Sequence, residues 1–371
     1  MARLPTSNGS YETKLSSSSK DKPTKMTAQI SRTCECSDCF SLQFLLQRGT
    51  LGETSNDCKR NMLYPYKFKS ILVERIWGGN ALARYGKDIP TGKRIGESWE
   101  ISDRPDAQSI VANGPDTGQT LRQLIQQHGA QLLGTNCRSD RFPLLIKLLD
   151  ARDRLSLQVH PPAAIATQLS GEPKTEMWYI LNATPDAKLI AGLRHGVTRR
   201  QFEKAIQQGG AAFQECFYQF PVHAGDALFV PSGRLHAIGA GLVIAEIQQN
   251  SDTTYRVYDW DRMDATGQPR ALHIRQSLAS IDFNDFEPAP TKLPIRCEHF
   301  TIEQLEIASK ATGRCDGKNF QILGGITGDV TITTGNFTEQ LRPGEFILLP
   351  AALGDYHLTA SASAKILRAS I

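Results

Sequence analysis

The sequence has no run near the ~20 apolar residues that a membrane-spanning helix needs. Its longest apolar runs, such as Ala227–Val230 and Phe346–Leu349, are strand-sized. The first 30 residues lack the apolar core of a cleavable signal peptide and hold Ser, Thr and Lys instead. Neither charge sign dominates: 42 Lys and Arg face 38 Asp and Glu, a formal net charge of +4. That balance excludes capture of nucleic acid or anionic lipid by bulk charge. There is no dense cysteine framework either, because eight cysteines are scattered over 371 residues. These absences predict a cytoplasmic globular protein without membrane or nucleic-acid partners. What is present is 40% hydrophobic residues, enough for the cores of two or three domains.

The basic residues are unevenly spread. Residues 1–60 carry nine Lys and Arg against six Asp and Glu, so most of the +4 lies there. The same stretch has ten serines, including Ser16–Ser19, and little hydrophobic periodicity. Such a composition cannot bury enough apolar surface to offset the entropy of ordering it. Residues 1–61 therefore read as a disordered or dispensable extension. Cys34, Cys36, Cys39 and Cys58 lie in it, without the second spaced pair that a zinc knuckle needs.

From Tyr64 the texture changes to short apolar runs broken by turn signals, which predicts strands and loops over 64–112. Apolar spacing predicts helices over Thr120–Leu133, stopped by Gly134, and over Thr198–Gln208, ended by Gly209-Gly210. A shorter helix over Pro161–Leu169 fits the prolines before it and Gly171 after it. Phe142–Leu149 and Leu155–His160 read as buried strands. Beyond about 213 strands dominate: Ala227–Val230, Leu242–Gln248, Thr254–Tyr258, Phe300–Ile307, Gln321–Ile326, Asp329–Thr333, Phe346–Leu349 and Lys365–Ala369. Many short strands with Gly and Pro turns suggest a barrel or jelly roll. A weak repeat supports two of them. Gly225–Pro231 and Gly344–Pro350 share glycine, an acidic residue, four apolar residues and proline, 119 positions apart.

The first copy continues as Pro231-Ser-Gly-Arg-Leu-His236, and the whole resembles the second signature of the cupin superfamily. That resemblance implies a small antiparallel barrel with His236 pointing at a metal. The second copy has Asp355 in the place of that histidine, which implies a metal-free C-terminal barrel. Gln158 and His160 lie two residues apart, hence on one face of a strand. Glu176 opens the next strand. Gln158, His160, Glu176 and His236 offer two imidazoles, a carboxylate and an amide oxygen, a donor set that suits zinc and other divalent first-row ions.

Longer segments narrow the resemblance. Ile76–Gly79, Gly96–Ser102, Phe142–Ala151, Leu155–Pro161 and Gln248–Asp259 resemble type I mannose-6-phosphate isomerases, in their shorter bacterial branch. The likeness spans about 62–371. It implies a mainly β fold of tandem cupin (jelly-roll) barrels with a small helical insert. The catalytic metal-binding domain would span 62–280 and a metal-free cupin-like domain 281–371. It implies interconversion of mannose 6-phosphate and fructose 6-phosphate by proton transfer between C1 and C2 through a cis-enediol(ate). One Zn²⁺ per chain would serve, with no nucleotide or redox cofactor, and the partner would be a small sugar phosphate. A monomer or weak homo-oligomer is expected.

By the same resemblance the metal ligands are Gln158, His160, Glu176 and His236. Arg256 matches the catalytic arginine; its permanent charge suits it to stabilise an oxyanion rather than to act as a base. Lys147, Lys174 and Ser156 match substrate-pocket positions. Two residues compete as the base. Lys174 would need its pKa lowered by roughly three units to act near pH 7. Glu246, flanked by apolar residues, would be raised by partial burial, and the reading leans to it. Glu176 follows His160 by 16 residues, wider than in ordinary cupins. Ile238 stands where the eukaryotic branch has an aromatic. A cupin dioxygenase and a sugar-binding protein without turnover are the competing readings. The three cationic side chains argue for an anionic substrate, and the complete ligand set argues for turnover.

Overall fold

The computed structural model describes residues 63–264 and 267–371. The extension 1–61 and its four cysteines lie outside the described residues. No described helix is long and apolar enough to cross a membrane.

The chain is mainly β, and four of its sheets stack in sequence. A five-stranded sheet orders Phe217–Pro221, Lys188–Leu193, His236–Ile238, Leu157–Val159 and Tyr255–Tyr258. A six-stranded sheet orders Ala227–Val230, Glu176–Ala183, Leu242–Gln249, Leu144–Ala151, Ile95–Ile101 and Ile71–Gly79. These two enclose the first sandwich, whose apolar interior includes Trp178, Ile180, Leu189 and Ile244. The second sandwich pairs a six-stranded sheet, built around Gln321–Thr327 and Ala364–Ser370, with a four-stranded one that includes Val330–Thr334 and Gly354–Ala360. Leu323, Ile332, Leu349 and Leu358 fill it.

Strand alternation explains the stacking. In Glu176–Ala183, Trp178 and Ile180 face the first interior while Met177 and Tyr179 face away. Val243, Ala245 and Ile247 face away likewise, and so do Leu144, Ile146 and Leu148. Their outward face meets Ile302, Ile322, Leu348 and Leu367 of the second six-stranded sheet. A sheet buried on both faces reads as a nearly continuous apolar run, which is why Leu144–Leu149 shows no alternation of polarity apart from Lys147.

The helices depart from expectation in detail. Thr120 caps its helix with a full capping box to Gln123, but the helix runs only Leu121–His128. Gly129, at φ 47° and ψ −120°, breaks it, and Ala130–Leu133 forms a separate turn. Thr198 and Gln201 form the same box on Arg199–Gln208. Gly209 ends that helix, and Gly210 then opens another, Gly210–Gln214. The expected Pro161–Leu169 helix is one turn, Ala163–Ala166, followed by the tighter turn Thr167–Leu169. A helix at Ile274–Ser280 was not expected from the sequence. Both copies of the repeat end in their expected strands, and both of their glycines hold positive φ, 95° at Gly225 and 81° at Gly344.

Candidate active site

Three ionisable side chains meet in the first sandwich. His160, Glu176 and His236 are fully buried, and one ligand atom from each lies within 4.8 Å of the others. The Nε2 atoms of His160 and His236 each stand 3.5 Å from a Glu176 oxygen. Sheet register supplies the arrangement. His236 pairs with Gln158, and Gln158 pairs on its other side with Arg256. His160 lies just past Leu157–Val159, and Glu176 opens a strand of the facing sheet.

The histidines are held in one tautomer. His160 Nδ1 lies 2.8 Å from the Thr253 carbonyl and His236 Nδ1 2.9 Å from the Arg234 carbonyl. A carbonyl can only accept, so each Nδ1 carries the proton and each Nε2 presents a lone pair. Both Nε2 atoms are buried and have no hydrogen-bond partner, nor do the oxygens of Glu176. Lys174 Nζ approaches Glu176 Oε2 to 2.7 Å as an ion pair, outside hydrogen-bond geometry. Two buried imidazole lone pairs aimed at a carboxylate, which offers them no donor, would cost several kcal/mol if nothing bound them. The donor set therefore fits a divalent cation, with carbonyl groups orienting both imidazoles. Burial, then the neighbouring His160, pushes His236 down to about 3; burial and the Lys174 charge lower His160. Both rings thus stay neutral, the form a metal needs.

Beside this cluster runs a cavity of about 320 Å³, lined by Lys147, Ser156, Gln158, Lys174, Glu246 and Arg256 among others. All nine residues singled out from the sequence are therefore in the cluster or on the wall of this cavity. On the six-stranded sheet Trp178, Glu246, Lys147 and Trp99 form one lateral row by register, so their side chains share a face. The Trp178 indole donates to Glu246 Oε2 at 3.0 Å, and its edge meets the His236 ring at a centroid distance of 5.4 Å. Burial first, and the Glu176 charge second, raises Glu246 to about 7. Lys174 goes the other way. Burial alone would lower it, but Glu176 and Glu246 outweigh that and hold the ammonium charged above its ordinary range.

Several cavity residues gave no sequence signal of their role. Glu97 lies in the Gly96–Ser102 segment but was not expected at the site. It accepts from Arg75 Nε at 2.9 Å and Trp99 Nε1 at 2.6 Å. Burial would raise its carboxyl, yet Lys147 and Arg75 bring it down to about 2. Lys147 Nζ stands 3.7 Å from each of Glu97, Glu246 and Asp252, and 4.8 Å above the Trp99 ring. Arg270, Thr254 and Ile238 also line the wall, with Trp77, Leu149 and Leu155. Around the cavity Arg75, Lys147, Lys174, Arg256 and Arg270 face Glu97, Glu176, Glu246 and Asp252, a formal sum of 5 − 4 = +1. A divalent cation raises that to +3, a field suited to an anionic substrate. A larger groove of about 940 Å³, beside Arg154 and Trp260, contains none of the three clustered ligands.

In the second sandwich Asp355, at the histidine's place in the repeat, is exposed and pairs with Arg314 at 2.8 Å.

Comparison with known proteins agrees with this geometry. The model of the phosphomannose isomerase type I catalytic domain matches residues 66–186, and that of the mannose-6-phosphate isomerase cupin domain matches 289–369. The mannose-6-phosphate isomerase ManA of Bacillus subtilis (strain 168) is 38% identical over 307 residues, 79% of this chain and 95% of that protein. A mannose-6-phosphate isomerase of Streptococcus mutans is 37% identical over 320 residues, 81% of this chain and 99% of that one. The solved mannose 6-phosphate isomerase of Bacillus subtilis matches with a TM-score of 0.75 at 32% identity, covering 83% of this chain and 99% of its own. A zinc-bound mannose 6-phosphate isomerase shares the fold, with a TM-score of 0.66 at 18% identity, over 82% of this chain and 98% of its own.

Proposed function

The chain belongs to the type I phosphomannose isomerase family and is an enzyme of that class, and from that premise we propose that it interconverts mannose 6-phosphate and fructose 6-phosphate with one zinc ion per chain. The ion is held by His160, Glu176 and His236, with Gln158 as fourth ligand. The observation that carries this reading is the pair of buried, partnerless Nε2 atoms that both face the buried Glu176 carboxylate, 3.5 Å from its oxygens. Bound there, zinc supplies a Lewis acid beside the developing oxyanion.

The rest is work for the chain's own side chains. Glu246 is the base. It takes the proton from C2 of the aldose and returns it to C1, while a hydrogen passes between the two sugar oxygens. The intermediate is a cis-enediol(ate), and no external oxidant or reductant is needed. A value near 7 lets one carboxyl both accept and return a proton, and the Trp178 hydrogen bond fixes its direction. Lys174, kept charged, is better suited to donate to an enediolate oxygen than to act as base. Arg256 adds a second fixed positive charge. Lys147 and Ser156 bind the substrate. The dioxygenase alternative loses ground to the cationic wall of the cavity, which suits an anion.

Residues 62–280 form the catalytic domain on this reading, 281–371 are a metal-free cupin-like domain, and 1–61 are dispensable. The enzyme acts in the cytoplasm on a small sugar phosphate, as a monomer or weak homo-oligomer. The test is a coupled isomerase assay with metal analysis. Chelation should abolish turnover and zinc should restore it. Full zinc occupancy without turnover of mannose 6-phosphate sinks the assignment, and activity in verified metal-free protein sinks the role of the ion.

A further inference from the structure

The five-stranded sheet carries the ligand cluster on one face only. In its middle strand His236 and Ile238 point into the first sandwich. Ala237 points the other way, and so does Ile190, its partner on the neighbouring strand. Ala237, Ile190 and Phe217 line the groove of about 940 Å³, which therefore lies on the reverse of the strand that holds a metal ligand. Its lining shares one residue, Ile238, with that of the catalytic cavity.

The charged residues lining this groove are Arg152, Arg154, Lys188 and Arg194 against Asp186 and Glu215, a formal sum of 4 − 2 = +2. Beyond residue 60 the chain as a whole carries only 4 − 3 = +1, so the groove concentrates positive charge. Among the described residues none of its four cations is in an ion pair or donates a side-chain hydrogen bond. The Arg152 charge acts on the buried Asp150 without pairing with it. Arg152 also lines an adjoining groove of about 560 Å³, whose other charged residues are Lys93 and Arg94. Lys93 there pairs with Glu74 at 2.8 Å. One ring stands among these charges: the Arg154 guanidinium lies 3.9 Å from the centre of the Trp260 ring. Aromatic faces and guanidinium planes are the two side-chain surfaces on which a base stacks.

We propose that this groove is a second binding site, which takes a nucleoside diphosphate as an effector and not as a cofactor. The base stacks at Trp260 and Arg154, and Lys188 and Arg152 meet the phosphates. The volume lies within the range of about 300–1,000 Å³ usual for small-molecule pockets. The groove is also tied to the cavity on the other face of the sheet. Trp260 Nε1 donates to the Leu155 carbonyl at 2.6 Å, and the Leu155 amide donates to the Ile238 carbonyl at 2.8 Å. Leu155 and Ile238 both line the catalytic cavity, so a ligand that shifts Trp260 bears on the walls around the substrate. Binding in the groove does not depend on the isomerase reading above; its effect on KM does.

The probe is ADP, titrated by calorimetry into zinc-loaded full-length protein while an equilibrated mixture of mannose 6-phosphate and fructose 6-phosphate fills the catalytic cavity. Zinc content is measured before and after, so that chelation by ADP is seen. ADP should bind once per chain, and adenosine or inorganic phosphate alone should bind about 10-fold more weakly or worse. Arg154→Gln/Lys188→Gln should weaken ADP about 10- to 100-fold, the loss of two charged contacts. Both side chains are exposed, so the fold should survive the change. Saturating ADP should change KM for mannose 6-phosphate about fivefold or more in the wild type. Trp260→Phe, which lacks the N–H, should bind ADP and lose that response. Absence of ADP binding at about 5 mM, a millimolar affinity being the weakest of interest, overturns the site. So does ADP affinity that survives the double variant, and so does inorganic phosphate that binds as tightly as ADP. A KM that ignores bound ADP overturns the effector role. Protein that binds ADP through Arg154 and Lys188 but does not isomerise mannose 6-phosphate would defeat the isomerase reading and leave the site standing.

Discussion

At the residue scale, the site depends on keeping ionisable groups in unusual states. His236 is depressed to about 3 by burial and by His160, and Glu176 is held well below its ordinary range chiefly by the Lys174 charge, which overcomes its burial. For both groups the unfolded chain binds protons more readily than the native one. Stability of the metal-free protein from these groups is therefore full above about 6.5 and is lost as pH falls toward 3 for His236, with Glu176 adding loss below 4.5. Glu246 acts oppositely: raised to about 7, it costs stability as pH rises from 4.5 through 7. Urea unfolding of chelated protein at pH 6.5 and 4.5 separates the two. His236→Gln should lose distinctly less stability over that interval than wild type, and equal losses would contradict the depressed imidazole. Glu246→Gln should keep zinc and lower kcat by about 10²- to 10⁴-fold, the usual worth of a positioned base. Normal proton exchange at C2 in that variant would remove Glu246 from the role.

At the scale of elements, the two copies of the Gly-acidic-apolar-Pro repeat carry the same turn with different surroundings. Both glycines hold positive φ, so alanine is strained at either. At Gly225 an added Cβ meets open space, whereas at Gly344 it would come within 2.5 Å of the Tyr85 Cβ. Gly225→Ala should cost about 1 kcal/mol and Gly344→Ala distinctly more, by analogy with strained and overpacked sites. Equal shifts in denaturation midpoint would refute the comparison. This repeat was legible because a turn and its strand are a local event. The ligand histidines were legible for the same reason, each lying in a short motif. Other features were not. Glu246 and Lys147 are 99 positions apart, and only sheet register sets them side by side. Arg75, Asp252 and Arg270 carry no local signature, since exposed-looking charged residues near turns are ordinary. The break at Gly129 was missed because the apolar spacing continues through it to Leu132 while the backbone does not.

At the scale of the whole described molecule, the proposed boundary near 280 falls between two sandwiches that share one apolar layer. Leu144, Ile146, Leu148, Tyr179 and Ile247 of the first pack with Ile302, Phe320, Leu348 and Leu367 of the second. The early strand Tyr66–Lys67 completes the C-terminal sheet by pairing with Phe346–Leu349. A catalytic half cut free at 280 would expose that face, a patch far too apolar for a soluble surface. The two halves should therefore unfold as one. The four tryptophans, Trp77, Trp99, Trp178 and Trp260, all lie in the first half, so their fluorescence reports on it alone. Leu348, at the shared layer, and Leu358, inside the second sandwich, are both fully buried in the other half. Either leucine changed to alanine removes about 2–5 kcal/mol of stability by the usual cavity cost. If folding is cooperative across the boundary, each variant lowers the urea midpoint of the tryptophan transition although no tryptophan lies near Leu358 in sequence. A tryptophan midpoint that holds while circular dichroism of the strands shows an earlier, separate transition would mean two independent domains. Coupling of this kind also assigns the C-terminal half a task that needs no metal ligand: it buries the back of the sheet whose front carries Glu176, Glu246 and Lys147.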